Sequence, residues 1–212
     1  MKVITLVTQK GGSGKTTLCV SLAVAAQEAG HTVCILEMDR QATASQWAQA
    51  RKGEPPEVAQ VAADRIETTL EKVRGGEFDF VFIDTPGIDS PGTNAAIRHA
   101  DLCMIPCRPT PADLRAIGPT LATIHRLEKQ FAFVLNQTPP KSYRVRDTAE
   151  GLKVMGLLAE VNIVMRNDHQ DAMGTGQGVT EMNPAGPAAT EIRALWSWIE
   201  NRTKEPIRVE AA

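Results

Sequence analysis

Residues 10–17 read KGGSGKTT and follow the apolar run VITLV at residues 3–7 after only Thr8 and Gln9. Few chain paths suit that order. The apolar run makes a buried strand, the glycines make a tight turn, and TTLCVSLAVAAQEAG (16–30) makes a helix stopped by Gly30. Glycine permits the backbone conformations in which successive N–H groups converge, and a helix starting at once adds the positive end of its dipole. The product is a phosphate cradle. In it Gly11, Gly12, Ser13 and Gly14 surround the phosphates and Lys15 reaches the β- and γ-phosphates. Thr16 offers its hydroxyl to Mg²⁺ and Thr17 bonds the α-phosphate. The ordinary spacing, G-x-x-x-x-G-K-[ST], requires a glycine at position 9. This chain has Gln9 there, and a further lysine, Lys10, beside it. One lysine is enough to hold a phosphate chain, so Lys10 needs a reason of its own.

Short apolar runs alternate with helical stretches along the rest of the chain. Strands are expected at 2–8, 32–39, 78–85, 101–107 and 131–137, with a short one near 161–165. Helices are expected at 16–30, 43–53, 64–76, 113–130, 146–156 and 187–202, and Pro55-Pro56 reads as a break. Strands alternating with helices imply right-handed crossovers. The fold class is therefore α/β, a mostly parallel twisted sheet with helices on both faces, in a single domain over 1–202 with a frayed tail at 203–212. The second strand leads into ILEMDRQATASQW (35–47), where Asp39 stands free after the apolar residues. FVFIDTPG (80–87) buries a strand and delivers Asp84 at its carboxyl end, where ligands bind in open α/β sheets.

These residues together resemble the ParA/MinD family of deviant Walker ATPases, which move plasmids, chromosomes and other cargo, and most of all its short ParA type. KGGSGKTT matches the deviant loop. EMDRQ matches D-x-D-P-Q, with Glu37 in place of the first Asp and Arg40 in place of the Pro. FVFIDTPG matches the Walker B strand with its switch loop, and CRPTPADLRAIG the P-x-P-x-D segment. The resemblance covers nearly the whole chain and implies a P-loop NTPase fold, with ATP and Mg²⁺ as cofactors. It implies that Lys15 acts in cis and that Lys10 crosses to the phosphates of a partner subunit in an ATP-sandwich homodimer. A cation that arrives only on dimerisation couples assembly to nucleotide state. The resemblance also implies that Asp39 orients the attacking water, that Thr16, Asp39 and Asp84 manage the metal, and that Asn136 and Pro184 neighbour the adenine.

Lys and Arg in 126–153 number six against three acids, and the family resemblance implies non-specific DNA binding there, with Arg144 and Arg146 as contacts. The remaining partner expected is a ParB-like or adaptor protein that stimulates slow hydrolysis, in a cytoplasmic, nucleoid-associated protein. A membrane role is not expected: no apolar run approaches the ~20 residues of a bilayer span, and the end NRTKEPIRVEAA offers little apolar face. With the loop starting at residue 10, no N-terminal DNA-reading domain is expected before it. Cys19, Cys34, Cys103 and Cys107 lie in apolar contexts and read as buried thiols, and the lack of a C-x-x-C pair argues against an iron–sulfur carrier. Glu37 and Arg40 leave room for a rival reading, a regulatory or scaffold module that binds nucleotide without useful turnover. His99, His125 and His169 read as packing or surface residues and Trp47 as packing, while Trp196 and Trp198, two apart on a helix, point to different faces, one into the core and the other toward a partner.

Overall fold

The computed structural model describes residues 1–204. Six strands form one sheet: β1 (Lys2–Leu6), β2 (Val33–Glu37), β3 (Glu57–Gln60), β4 (Phe80–Asp84), β5 (Leu102–Cys107) and β6 (Phe131–Leu135). Their order is β3-β2-β4-β1-β5-β6 and every pairing is parallel. The helices are α1 (Lys15–Glu28), α2 (Thr43–Ala50), α3 (Ile66–Arg74), α4 (Pro91–His99) and α5 (Pro111–Arg126), then α6 (Tyr143–Met155), α7 (Asn167–Thr175), α8 (Val179–Met182) and α9 (Pro187–Lys204).

The pleat explains the layers. Alternate strand residues point to opposite faces, so Ile4, Leu6, Ile35, Phe82 and Met104 join one core with α1 and α9. Val3, Leu36, Val81 and Ile83 face α3 and α4, while Cys103, Ile105, Phe133 and Leu135 face α5 and α6. A parallel sheet covered on both faces has strands that read as continuous apolar runs, which is what made five of the six legible. α1 is buried through Leu18–Ala26 without a polar face, because it lies between the sheet, α9 and α2. All four cysteines are free and buried, and burial pushes the thiols of Cys34, Cys103 and Cys107 up to about 12.

Six elements differ from expectation, α7 and α8 among them, since no helix was expected between 156 and 187. β3 follows Pro55-Pro56 at the sheet edge, with Glu57, Ala59 and Gln60 exposed, so it carries no apolar signal. α4 is short, and its start is set by Ser90 Oγ, which accepts from Thr93 N at 3.1 Å, with Pro91 as the first helical residue. The strand near 161–165 reduces to a single bridge, Thr138 to Val164, before α7 and α8. α9 continues through Lys204, past the expected boundary at 202; of the predicted tail, residues 205–212 lie outside the described residues.

The segment from α7 to α8 is fastened to α2 by two side chains, Arg51 and Trp47. Arg51, just past α2 and 8% exposed, donates from Nη1 to Glu181 Oε2 at 2.7 Å and to the Gly176 carbonyl at 2.9 Å. Its Nη2 donates to Glu181 Oε1 at 2.9 Å and to the Pro55 carbonyl. Its guanidinium also covers the ring of Trp47, whose Nε1 donates to the Gln177 carbonyl at 3.0 Å. Removing one partner of such a pair strands the other. Arg51→Met should therefore cost about 3 kcal/mol of stability, read as a lower urea midpoint with an unchanged slope.

Candidate functional site

The turn between β1 and α1 is held open from the β6 side. Gly12 and Gly14 have φ of 73° and 89°, a left-handed conformation costly for other residues. A Cβ at Gly14 would also lie 2.4 Å from Asn136 Nδ2. That nitrogen donates to the Ser13 carbonyl at 2.7 Å, and Gln137 Nε2 donates to the Gly12 carbonyl at 3.1 Å. Two loop carbonyls are thus engaged by side chains, which favours the inward turn of N–H groups that an anion needs. The predicted adenine neighbour Asn136 is therefore a clamp on the loop. Gln137, its equal in this role, was not legible in the sequence, since the contact spans 125 positions.

Lys15 is 7% exposed and its Nζ donates to the Lys10 carbonyl at 3.3 Å. Burial lowers its pKa, and the carboxylates of Asp84 and Asp39 oppose that shift. Thr16 Oγ1 donates to Asp84 Oδ2 at 2.7 Å. Asp84 is fully buried, and burial raises it to about 7 against the opposing effects of Thr16 and Lys15. Among the described residues its Oδ1 and the buried Ser13 Oγ have no hydrogen-bond partner. Mg²⁺ is commonly held by one or two carboxylates together with water and phosphate oxygens. An orphaned carboxylate oxygen beside a threonine hydroxyl and a phosphate-type loop fits such an ion. Past Asp84, Thr85 Oγ1 donates to the Leu6 carbonyl at 2.8 Å, and a Cβ at Gly87 would lie 3.1 Å from Gly11 N. The segment after β4 thus lies directly on the phosphate loop.

Asp39 is half-buried and its Oδ1 accepts from Gln41 N at 3.0 Å. Arg40 is exposed, and the tight turn completes with Ala42 in a left-handed conformation at φ 56°. Glu37 is 1% exposed and has a separate task. It accepts from Ala44 N at 2.6 Å and from Ser45 N at 2.9 Å, two orphan donors of the first turn of α2. It caps that helix from outside, because Ala42 at the N-cap has no side-chain acceptor.

Asn136, Gln137, Gly14 and Thr17 border a cavity of about 140 Å³, closed on its other side by Ile163 and His169. Pro184 does not join them. Its carbonyl accepts from Arg193 Nη1 at 2.5 Å, and that guanidinium also binds Glu28 at 2.7 Å, so Pro184 belongs to an α8–α9 junction. Arg144 and Arg146 are exposed on α6, Arg144 over the Tyr143 ring at 6.0 Å and Arg146 at 3.9 Å from Asp147. Among the described residues no helix is long and apolar enough to cross a membrane.

Residues 4–171 match the family described as the CobQ/CobB/MinD/ParA nucleotide binding domain, CbiA. The chain belongs to this family. Among relatives of this CbiA domain, the maintenance of carboxysome distribution protein A of Gloeobacter kilaueensis is 35% identical over 59% of the chain and 56% of that protein. Its namesake in Halothiobacillus neapolitanus is 27% identical over 88% and 90%. A protein ParA of Rhizobium radiobacter is 34% identical over 53% of the chain and 51% of that protein. The chain thus spans about half the length of two of these three relatives. In fold, the CbiA domain superimposes on the Pyrococcus furiosus cell division ATPase MinD with a TM-score of 0.80 at 18% identity, covering 95% of this chain and 99% of that one.

The raised Asp84 value has a sign that can be measured. The folded protein keeps a proton that the unfolded chain releases near ~3.9. The metal-free fold should therefore lose stability as pH rises from about 4 to about 7, the loss being complete above that window. Asp84→Asn should flatten that slope and leave the metal-free protein at least about 1 kcal/mol more stable than wild type near pH 8. Urea unfolding at about pH 5 and about pH 8 checks both statements.

Proposed function

We propose that the chain is a Mg²⁺-dependent ParA-type ATPase that dimerises around ATP, holds DNA without sequence preference in that state, and is reset by hydrolysis. The observation that supports this most is the division of labour between the lysines. Lys15 is buried and turned back onto its own loop, whereas Lys10 is partly exposed and makes no ion pair among the described residues. A cation left free at the lip of a phosphate loop suits the phosphates of a second copy.

In this reading ATP is the substrate, with its base toward the cavity beside Asn136 and its phosphates over Gly11–Thr17. Thr16 and Asp84 would hold Mg²⁺, with Asp39 close enough in charge to sense it, and the bound ion would offset phosphate charge. Asp39 would accept a hydrogen bond from water and aim it at the terminal phosphate. Lys15 in cis and Lys10 in trans would stabilise charge that moves onto the leaving oxygens. Exposed Arg144 and Arg146 would meet a DNA backbone, a contact that needs charge and no base readout. A ParB-like or adaptor protein would accelerate the slow step, and the protein would work in the cytoplasm on the nucleoid, segregating a plasmid or chromosome. The relatives named for carboxysome distribution favour a second reading of the cargo alone: the same cycle positioning another cellular body.

Light scattering of the full chain with ADP and with ATP, alongside DNA retention, tests the cycle. ATP should give a dimer that retains DNA, Lys10→Ala should weaken it, and Asp39→Ala should trap it. Mass and DNA retention that ignore the nucleotide would move the scaffold reading ahead. Changing Arg144 and Arg146 together to Glu should cut DNA retention at least about tenfold while nucleotide binding stays as in wild type. Unchanged retention removes both from the footprint.

A further inference from the structure

Beyond β5 the chain turns back toward the phosphate loop at Arg108. A Cβ placed on Gly12 would lie 3.9 Å from Arg108 Nη1. This closeness is built. Arg108 Nε donates to Asp113 Oδ1 at 2.9 Å, and Asp113 is only 4% exposed. Thr110 Oγ1 donates to the other carboxylate oxygen and accepts from Asp113 N at 3.2 Å. The backbone is fixed as well: Thr110 N donates to the Arg108 carbonyl at 2.7 Å, and Pro109 and Pro111 each lock a φ angle. A buried carboxylate is unfavourable without a partner, so this pair is a feature of the fold and not a surface encounter.

A carboxylate that takes Nε aims the guanidinium and leaves its far end unused. Neither Nη group has a hydrogen-bond partner among the described residues, and the side chain keeps 29% of its exposure. Those donors sit beside Gly12, an exposed glycine of the loop. An arginine offers a planar fork that matches phosphate oxygens, and a lysine does not. The companion bond from Gln9 N to Thr120 Oγ1, at 3.2 Å, ties α5 to the start of the same loop.

We infer that Arg108 is a third cation of the phosphate loop, donating from its Nη1 end to a phosphate oxygen of the nucleotide bound by the same chain, and that Asp113 is the positioning residue that aims it. The inference rests on the nucleotide reading above. Titration of the full chain with fluorescent ATP and ADP derivatives, with scattering in the same cell, tests it. Arg108→Ala should raise the Kd for ATP about tenfold to a hundredfold, the loss expected for one charge-assisted contact. Arg108→Lys should recover only part of this, since it cannot accept aim from Asp113 through an Nε. Arg108→Ala strands a buried carboxylate, so the double variant Arg108→Gln with Asp113→Asn keeps the fold intact and should show the same loss. A double variant that melts like wild type and binds ATP within about twofold of it overturns the inference while the nucleotide reading stands. A wild type that binds neither nucleotide removes both. Normal ATP affinity with lost dimerisation would place the contact on the partner's nucleotide and overturn the same-chain assignment.

Discussion

Three neighbouring strands end level with one another, and the site depends on that register. Leu6 of β1 and Glu37 of β2 both pair with Asp84 of β4. The turn into α1, the acid of β4 and the turn into α2 therefore leave the sheet side by side. A slip of one residue would turn Asp84 into the helical layer and bring an apolar neighbour to the edge. The parallel ladder thus does what no local motif can: it brings a lysine, a threonine hydroxyl and two acids together from segments far apart in sequence.

Much of this was legible because it is local. The loop from Lys10 to Thr17, Asp39 and Asp84 each follow a buried apolar run, and the run announces the strand that carries them. The elements that escaped notice lack that announcement. β3 is a four-residue edge strand, only half of it apolar and largely exposed, and α4 holds Gly92, Thr93 and Asn94 where helix formers would be expected. In the site, Asn136, Gln137 and Arg108 act on a loop more than ninety positions away. Only folding creates those contacts. Pro184, whose place in a late loop suggested a ligand, sits at the α8–α9 junction, where its carbonyl accepts from Arg193.

The two departures from the D-x-D-P-Q pattern find different outcomes. Glu37 is longer than Asp by one methylene, and it reaches the first turn of α2 with both carboxylate oxygens. It fixes the helix that follows Asp39, so the substitution bears on where Asp39 is held. Arg40 points to solvent, and the turn is shaped by Asp39 Oδ1 on Gln41 N and by the left-handed Ala42. Hydrogen bonding here serves where a proline would have supplied rigidity.

α1 begins at Lys15 and stays buried around its circumference almost to its end. At 1.5 Å per residue it runs about 21 Å from the phosphates into the protein. A rod gripped on every side can neither slide nor roll without opening the packing around it. Nucleotide chemistry at its head must then be felt sideways, through the thin skin of turns at the sheet's edge, and α1 is the anvil against which those turns are struck.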